Sequence, residues 1–258
     1  MARQARQHSQ SGVYHVMLRG IDQVQLFYDD DDRQAFLQRL LRLRSDGSFL
    51  LYAYALMGNH VHLLLREQAD PISTSVKRLT IGYSHWFNKK YDRQGYLFQG
   101  RFKSQPVDDD AFLLAAFRYI HLNPVKIGLS IDSWTSYRDY LEASDVIDTD
   151  LILSLIAPRV DDRATRLARF FDATPQLTDP AVLGDTQVDR SDDARAIDLI
   201  KDVGQLDSCP QLAQLDKARR DDIIARLKAA GLTIRQISRL TGINRGIVQK
   251  ARSAPLNS

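Results

Sequence analysis

The sequence predicts an α+β fold, in which an antiparallel sheet packs against helices, followed by an all-α C-terminal domain. Short hydrophobic runs at 13–21, 48–57 and 60–67 are rich in aliphatic and aromatic residues, as strands are. Longer segments between them repeat apolar residues at spacings of three and four, which is typical of amphipathic helices. From about residue 197 onward, the only periodicity is helical.

The elements follow in chain order. The first strand, 13–21, precedes a helix predicted over 29–46, which begins with four aspartates; acidic residues are favourable at a helix N-terminus because of the helix dipole. Gly58-Asn59 then separates two strand-like runs, 48–57 and 60–67. This dipeptide predicts a turn, so these two strands are expected to form an antiparallel hairpin.

A second helix is predicted over 70–91, with Pro71 at its start, and a third over 111–123, ended by Pro124. A short strand fits between these two helices. The resulting order, β-α-β-β-α-(β)-α, is close to the ferredoxin-like arrangement, and the helices are expected on one face of the sheet.

Charge divides the chain into three parts. Residues 1–130 hold 17 Lys/Arg against 12 Asp/Glu, residues 131–196 hold 7 against 14, and residues 197–258 hold 11 against 6. Residues 158–195 also mix Pro, Asp and Thr, and helical periodicity returns from about 197, so we expect a first domain over 1–157, an acidic connector over 158–196 and a C-terminal domain over 197–258. Basic blocks suggest a polyanionic partner, although solvated helix faces would explain the charge equally well.

Composition excludes several classes of protein. No run of 18 apolar residues is present, so no membrane-spanning helix is expected. Cys209 is the single cysteine, which rules out an internal disulfide and a cysteine-rich zinc site. The N-terminal residues do not resemble a signal peptide, and the expected location is the cytoplasm.

The strand 60–67 carries two histidines among apolar residues. Side chains alternate between the faces of a strand, so His60 and His62 share one face while valine and leucine occupy the other. The Cα atoms of His60 and His62 are about 7 Å apart in a strand, so both imidazoles can reach one metal ion. Two hydrogen-bonded, half-buried histidines without a ligand are the alternative.

The helix over 111–123 places a tyrosine at the edge of its apolar stripe. Tyr119 and Asn123 are four residues apart and are therefore neighbours on the helix surface. His121 lies about 160° around the helix from Tyr119 and is expected outside the same site. A tyrosine in this position can also serve packing alone.

These residue types fit phosphodiester chemistry. A divalent ion held by two imidazoles and one amide oxygen would make a phosphate more electrophilic and orient it for attack by the Tyr119 hydroxyl. The products would be a covalent phosphotyrosine and a free 3′-hydroxyl. Because the bond energy is conserved, such a reaction can rejoin DNA strands without ATP.

At this point the sequence resembles a known family. "MGNHVHLLL" resembles the His-hydrophobic-His motif of single-tyrosine transposases of the HUH superfamily, the insertion-sequence transposase-like enzymes. "GYLFQGRFKS", "FRYIHLNPVKIGL" and "SWTSYRDY" resemble the REP-associated tyrosine transposases among them. The resemblance covers residues 13 to about 140, and the order and spacing of its motifs make it specific.

The resemblance implies a metal-dependent endonuclease and strand transferase that acts on hairpin-containing repetitive elements. His60 and His62 would bind Mg²⁺ or Mn²⁺, Asn123 would stand at the position of a third, amide-type ligand, and Tyr119 would be the nucleophile joined to the 5′-phosphate. The partners would be single-stranded and hairpin DNA, bound by a monomer or a homodimer. The chain departs from the family at Gly58, where proline is usual, and at His121, where an acidic residue is more frequent.

Candidate DNA contacts surround this site. Cations can bind phosphates, and aromatic rings can stack on unpaired bases, although each could also be an ordinary surface residue. The expected contacts in the first domain are Arg19, Lys77, Arg78, Lys89, Lys90, Tyr96, Phe98, Arg101, Lys103 and Arg118.

The C-terminal block shows a helix-turn-helix pattern. Thr233 caps one short helix, Thr241-Gly242-Ile243 forms the turn, and Asn244 caps the next helix. Arg245, Gln249 and Lys250, together with Asn244, are expected to contact a DNA major groove. A small helical bundle used only for packing is the alternative.

Two other functions remain open. A replication initiator or relaxase would use related chemistry, but the run "YIHLNPVK" argues against it. A domesticated DNA-binding regulator would keep the helix-turn-helix and lack cleavage activity.

Overall fold

The computed structural model describes residues 7–142, 144–156, 162–172, 193–243 and 245–252. Its sheet is antiparallel, with strands β1 Val13–Arg19, β2 Phe49–Met57, β3 His60–Glu67 and β4 Lys103–Pro106 in the order β2-β3-β1-β4. The helices are α1 Asp30–Ser45, α2 Ile72–Lys90, α3 Asp110–Leu122, α4 Tyr137–Leu141, α5 Asp150–Leu155, α6 Arg163–Asp172, α7 Asp193–Gly204, α8 Lys217–Ala229, α9 Ile234–Thr241 and α10 Arg245–Lys250.

The predicted α+β class is confirmed. The element order β1-α1-β2-β3-α2-β4 matches the sequence-based order, including the short strand β4. Strand β1 ends two residues earlier than expected, because the chain turns back on itself at Gly20. A Cβ atom at Gly20 would lie 2.1 Å from the carbonyl oxygen of Val24, so the turn requires a residue without a side chain.

Helices cover both faces of the sheet, and not one face as predicted. Helix α3 lies on the face that carries His62, because the Tyr119 ring contacts the His62 ring. Val61 and Leu63, whose side chains point to the opposite face, are fully buried as well. Helices α1 and α2 pack against each other and contact β2 and β3. Both faces are therefore covered, whereas helices on one face were predicted.

The start of α1 is held by a buried carboxylate. Asp29 and Asp32 form a reciprocal capping box, in which each side chain accepts a hydrogen bond from the other's backbone N–H. Asp32 also accepts hydrogen bonds from the Tyr28 backbone, the Tyr91 hydroxyl and the Lys90 ammonium. This network fixes the end of α2 against the start of α1.

Helix α6 lies within the range predicted as a connector and packs on α3. The rings of Phe170 and Phe171 contact Phe117, and the ring of Phe171 also contacts His121. The remainder of the predicted connector, apart from residues 162 and 193–196, lies outside the described residues.

The C-terminal region is mostly helical and has its own apolar core. Ile200, Leu212, Ile224, Leu227 and Leu240 are fully buried in a cluster separate from the one around the sheet. The two parts touch, since the Tyr28 ring packs against both clusters. Over the described part of the chain, no helix combines the length and apolar character needed to cross a membrane.

Candidate functional site

The two motif histidines lie on one face of the sheet, as alternation predicts. Strand β3 pairs with β1 in a register that places His62 opposite Met17 and His60 opposite Arg19. The ring centroids of His60 and His62 are 5.0 Å apart, and both side chains are buried. The two imidazoles are therefore close enough to face one ligand.

Helix α3 brings the tyrosine to the same face. The ring centroid of Tyr119 lies 5.4 Å from that of His62 and 5.9 Å from that of His15 in β1. Tyr119 is half-buried, while Phe117 and Ile120 of the apolar stripe of α3 are fully buried in the core cluster that includes the sheet. The buried stripe fixes the rotation of α3 about its axis. This rotation places Tyr119, at the edge of the stripe, beside the two histidines.

Hydrogen bonds hold both imidazoles. The His60 ring nitrogen Nδ1 lies 2.9 Å from the side-chain oxygen of Asn59, and Nδ1 of His62 lies 2.9 Å from Nε2 of His15. Burial holds the pKa of His62 well below its ordinary value, and the charges of His60, His15 and Lys126 lower it further. His62 is therefore neutral at physiological pH and keeps one nitrogen lone pair.

Two further side chains complete the surroundings of Tyr119. Asn123 is buried, and its amide nitrogen donates a hydrogen bond of 2.8 Å to the backbone oxygen of Tyr119. Because this contact uses the amide nitrogen of Asn123, its amide oxygen is the atom that could bind a cation. The Lys126 ammonium lies 3.8 Å from the centroid of the Tyr119 ring, and burial lowers the pKa of Lys126.

The chemistry of these donors fits a divalent cation. Nε2 of His62 is buried and has no hydrogen-bond partner among the described residues, which is the situation of a nitrogen reserved for a ligand. The described ranges contain no group of three or more His, Cys, Asp or Glu side chains arranged for a metal. Two imidazoles and an amide oxygen are donors for a divalent cation, and they are fewer than the four ligands of a structural zinc site.

A groove between α2 and the segment 98–102 gathers many of the predicted DNA contacts. Its volume is about 820 Å³, and its lining includes Arg19, Lys77, Arg78, Phe98 and Arg101. We call it the α2 groove. A second hollow of about 340 Å³ continues it past Phe98 to Tyr96, whose side chain is 86% exposed.

The remaining predicted contacts of the first domain are placed differently. Lys89 and Lys103 are exposed and lie outside the lining of the α2 groove. The Lys90 ammonium is engaged by Asp29 and Asp32 at 2.8 Å, so its charge is already compensated within the protein.

Arg118 is a correction to the predicted DNA contacts. It is only 3% exposed, and its guanidinium donates to the backbone oxygens of Phe170 and Phe171. It also lies 4.2 Å from the centroid of the Phe170 ring. Arg118 therefore anchors the C-terminal end of α6, where the helix leaves carbonyls without intrahelical partners, and does not reach the surface.

In the C-terminal region, Arg245, Gln249 and Lys250 are exposed on α10, as predicted, while Asn244 lies outside the described residues. Gly242 ends α9 with a φ of 75°, the left-handed conformation that favours glycine at this position. The Lys228 ammonium donates to the backbone oxygens of Val248 and Ala251 and so binds the C-terminal end of α10.

Sequence reasoning misses three residues around the site: His15, Asn59 and Lys126. In the sequence, Asn59 is only a turn residue, and His15 is one histidine in a strand of unknown pairing. Lys126 lies beyond Pro124, where the helix that carries Tyr119 has already ended, so helical spacing does not place it beside Tyr119.

Comparisons with known proteins give the chain a family context. Residues 8–123 match the family model described as "Transposase IS200 like". This range runs from β1 to the end of α3 and contains His60, His62, Tyr119 and Asn123. The chain is also similar to a solved structure described as "Structure of the REP associates tyrosine transposase bound to a REP hairpin", at a TM-score of 0.48 and 16% identity, over 57% of this chain and 94% of that chain. No curated protein matches the chain.

Proposed function

We propose, from the match of residues 8–123 to the family model described as "Transposase IS200 like", that the protein cuts and rejoins single-stranded DNA through a covalent bond to Tyr119. One observation carries the proposal: the Tyr119 ring lies 5.4 Å from the His62 ring, which in turn lies 5.0 Å from the His60 ring. A tyrosine beside two imidazoles that can hold a cation is an arrangement suited to phosphodiester transfer.

In the proposed reaction, the Tyr119 hydroxyl oxygen attacks the phosphorus of a DNA phosphodiester. A bond forms between that oxygen and phosphorus, and the bond from phosphorus to the 3′-oxygen breaks. The phenol loses its proton, and the 3′-oxygen gains one to leave as a hydroxyl. The 5′-phosphate remains attached to the protein, and attack by another 3′-hydroxyl reverses these steps on a second strand end.

His60, His62 and Asn123 would hold the divalent cation, Mg²⁺ or Mn²⁺. When bound, the cation polarises a non-bridging phosphate oxygen and makes the phosphorus more electrophilic. Burial keeps the pKa of His62 low, so the protein contributes this imidazole in its neutral form at physiological pH. Lys126 adds a positive charge beside the Tyr119 ring, where the phosphate develops negative charge.

The α2 groove is the proposed path of the DNA strand. Arg19, Lys77 and Arg101 supply positive charge along its wall, and Phe98 supplies a half-buried ring. Exposed Tyr96 lies where the groove continues and is free to stack on an unpaired base. Arg78 shares its charge with Asp70 at 3.0 Å, so we expect a smaller contribution from it.

Charge reversal in this groove should weaken DNA binding. For Arg101→Glu combined with Lys77→Glu, we expect a loss of affinity for a single-stranded oligonucleotide of at least about tenfold, and a salt dependence of log Kd that is less steep by about 0.7 per lost phosphate contact. Fluorescence anisotropy at several salt concentrations measures both. The matched control is Arg42→Glu with Arg138→Glu, two cations away from the groove, and equal losses in the two double variants would contradict the assignment.

Helix α10 is proposed to bind duplex DNA beside the cleavage site. Arg245, Gln249 and Lys250 present two charges and one amide on its exposed side. A hairpin would satisfy both parts of the protein, since its stem is a duplex and its flanks are single strands. The alternative function, a regulator that binds DNA without cutting it, uses the same helix and lacks only the reaction at Tyr119.

Covalent capture tests the proposal directly. The full chain is incubated with Mn²⁺ and 5′- or 3′-labelled oligonucleotides that contain the hairpins flanking its gene, and denaturing gels are examined for a protein–DNA adduct. We expect a Mn²⁺-dependent adduct that carries the DNA on the 3′ side of the cut, and mass spectrometry should locate it on the peptide containing Tyr119. Binding without any nicked product would support the regulator instead.

A further inference from the structure

We propose that Asn59 and His15 are positioning residues that fix the proton of each motif imidazole on Nδ1, so that His60 and His62 both present an Nε2 lone pair to the cation. This inference rests on the proposed function, because it assumes that the two histidines are cation ligands. It assigns a role to two buried polar residues that the reaction itself does not use.

For His60, the orientation of Asn59 decides the position of the proton. The amide nitrogen of Asn59 donates to the backbone oxygen of Gln23 at 3.2 Å. The amide oxygen of Asn59 therefore faces the His60 ring, where Nδ1 lies 2.9 Å away. An amide oxygen can only accept a hydrogen bond, so Nδ1 of His60 must carry the proton and Nε2 keeps its lone pair.

For His62, the partner is a second histidine. His15 and His62 lie diagonally across the β1–β3 pair on the same face, since His15 is opposite Leu64 and Met17 is opposite His62. Nε2 of His15 is 2.9 Å from Nδ1 of His62, and both side chains are fully buried. Two ring nitrogens at this distance share one hydrogen bond, so one of them carries the proton and the other accepts it.

That shared proton has two possible positions. If His15 donates, Nε2 of His62 carries a buried proton and cannot bind a cation. If His62 donates, the proton of His15 lies on its Nδ1, and Nε2 of His62 keeps a lone pair; neither atom has a hydrogen-bond partner among the described residues. A ligand nitrogen normally has its other ring N–H held by an acceptor, and His15 provides that acceptor here.

The pairing of the sheet explains why these two residues reach the histidines. Asn59 belongs to the β2–β3 turn, directly before His60, and is only 1% exposed. Strand β1 lies next to β3 and brings His15 from 47 residues away. One imidazole is therefore held from the turn and the other from the neighbouring strand, and the Tyr119 ring lies 5.4 Å from the His62 ring on the same face.

The tautomers are measurable in the metal-free protein. Long-range ¹H–¹⁵N correlation spectra of the full chain, labelled with ¹⁵N in histidine, distinguish a protonated Nδ1 from a protonated Nε2. We expect His60 and His62 to carry the proton on Nδ1 at neutral pH. A proton on Nε2 of His62 in the wild-type protein would overturn the assignment to His15.

Cation affinity gives the second readout and requires no DNA. By Mn²⁺ titration, with calorimetry or electron paramagnetic resonance, we expect Asn59→Leu and His15→Phe each to weaken Mn²⁺ binding by about 10- to 100-fold. Asn59→Asp and His15→Gln keep an acceptor for the Nδ1–H group and should recover most of the affinity. His121→Gln is the control, because it also removes a buried, neutral histidine, bonded to Ser136 on the far side of α3.

The outcomes separate this inference from the proposed function. Wild-type Mn²⁺ affinity in folded Asn59→Leu and His15→Phe would overturn it, as would an equal loss in His121→Gln or a wild-type protein that binds no Mn²⁺. If affinity falls as expected but the wild-type protein forms no adduct, the positioning roles stand and the nuclease activity fails. Circular dichroism spectra verify that each variant is folded.

Discussion

Tyr119→Phe is expected to abolish the covalent protein–DNA adduct and to reduce strand cleavage by at least about 10³-fold. The substitution removes one oxygen atom, the proposed nucleophile. The ring itself remains, so its contacts with His62 and Lys126 are retained. DNA affinity, measured by anisotropy, should stay within about twofold of the wild-type value.

The matched control for this experiment is Tyr137→Phe. Tyr137 is also a partly buried tyrosine, but its ring packs on Phe171 and His121 behind α3. Its variant should form the adduct at the wild-type rate. An unchanged adduct yield in Tyr119→Phe would show that another group attacks the phosphate, and the proposed reaction would be wrong.

Asp32→Ala is expected to give the largest loss of stability. The Asp32 carboxylate is fully buried and accepts from the Tyr28 backbone at 2.6 Å, the Tyr91 hydroxyl at 2.8 Å and the Lys90 ammonium at 2.8 Å. It also accepts a hydrogen bond from the Asp29 backbone, so it satisfies four donors, and its burial raises its pKa. Removing it leaves those donors without their acceptor and should lower the free energy of unfolding by roughly 3 kcal/mol.

Urea denaturation followed by circular dichroism measures this loss. Asp31→Ala serves as the control, because Asp31 is an exposed residue in the same first turn of α1, and its variant should lose less than about 0.5 kcal/mol. Equal losses in the two variants would mean that the helix N-terminus, and not the buried network, accounts for the effect.

The sequence by itself determined the local features of this protein. Alternation in a strand is a property of the backbone, so the sequence alone places His60 and His62 on one face. The four-residue spacing of Tyr119 and Asn123 likewise makes them neighbours on a helix. The turn at Gly58-Asn59 and the caps at Thr233 and Gly242 also depend on residues close in the chain.

Which strands pair with each other could not be predicted from the sequence and was decided by the tertiary structure. Whether β1 or another strand lies beside β3 depends on the balance of packing over the whole sheet, so the contact of His15 with His62 could not be predicted from local patterns. The same holds for Arg118, whose position on α3 suggested a surface cation. Only the packing of α6 shows that it is buried beneath Phe170 and Phe171.

The protonation states of the buried histidines also depend on the tertiary structure. An isolated histidine titrates near neutral pH, and nothing in "HVHLLL" indicates otherwise. Burial on both sides of the sheet removes water from the imidazoles and disfavours their charged forms, which lowers the pKa values of His15 and His62. The sequence thus specifies which groups are present and which of them share a face, because these properties are local. The fold decides which of them meet and in what protonation state, because distance and desolvation depend on all the elements that pack around them.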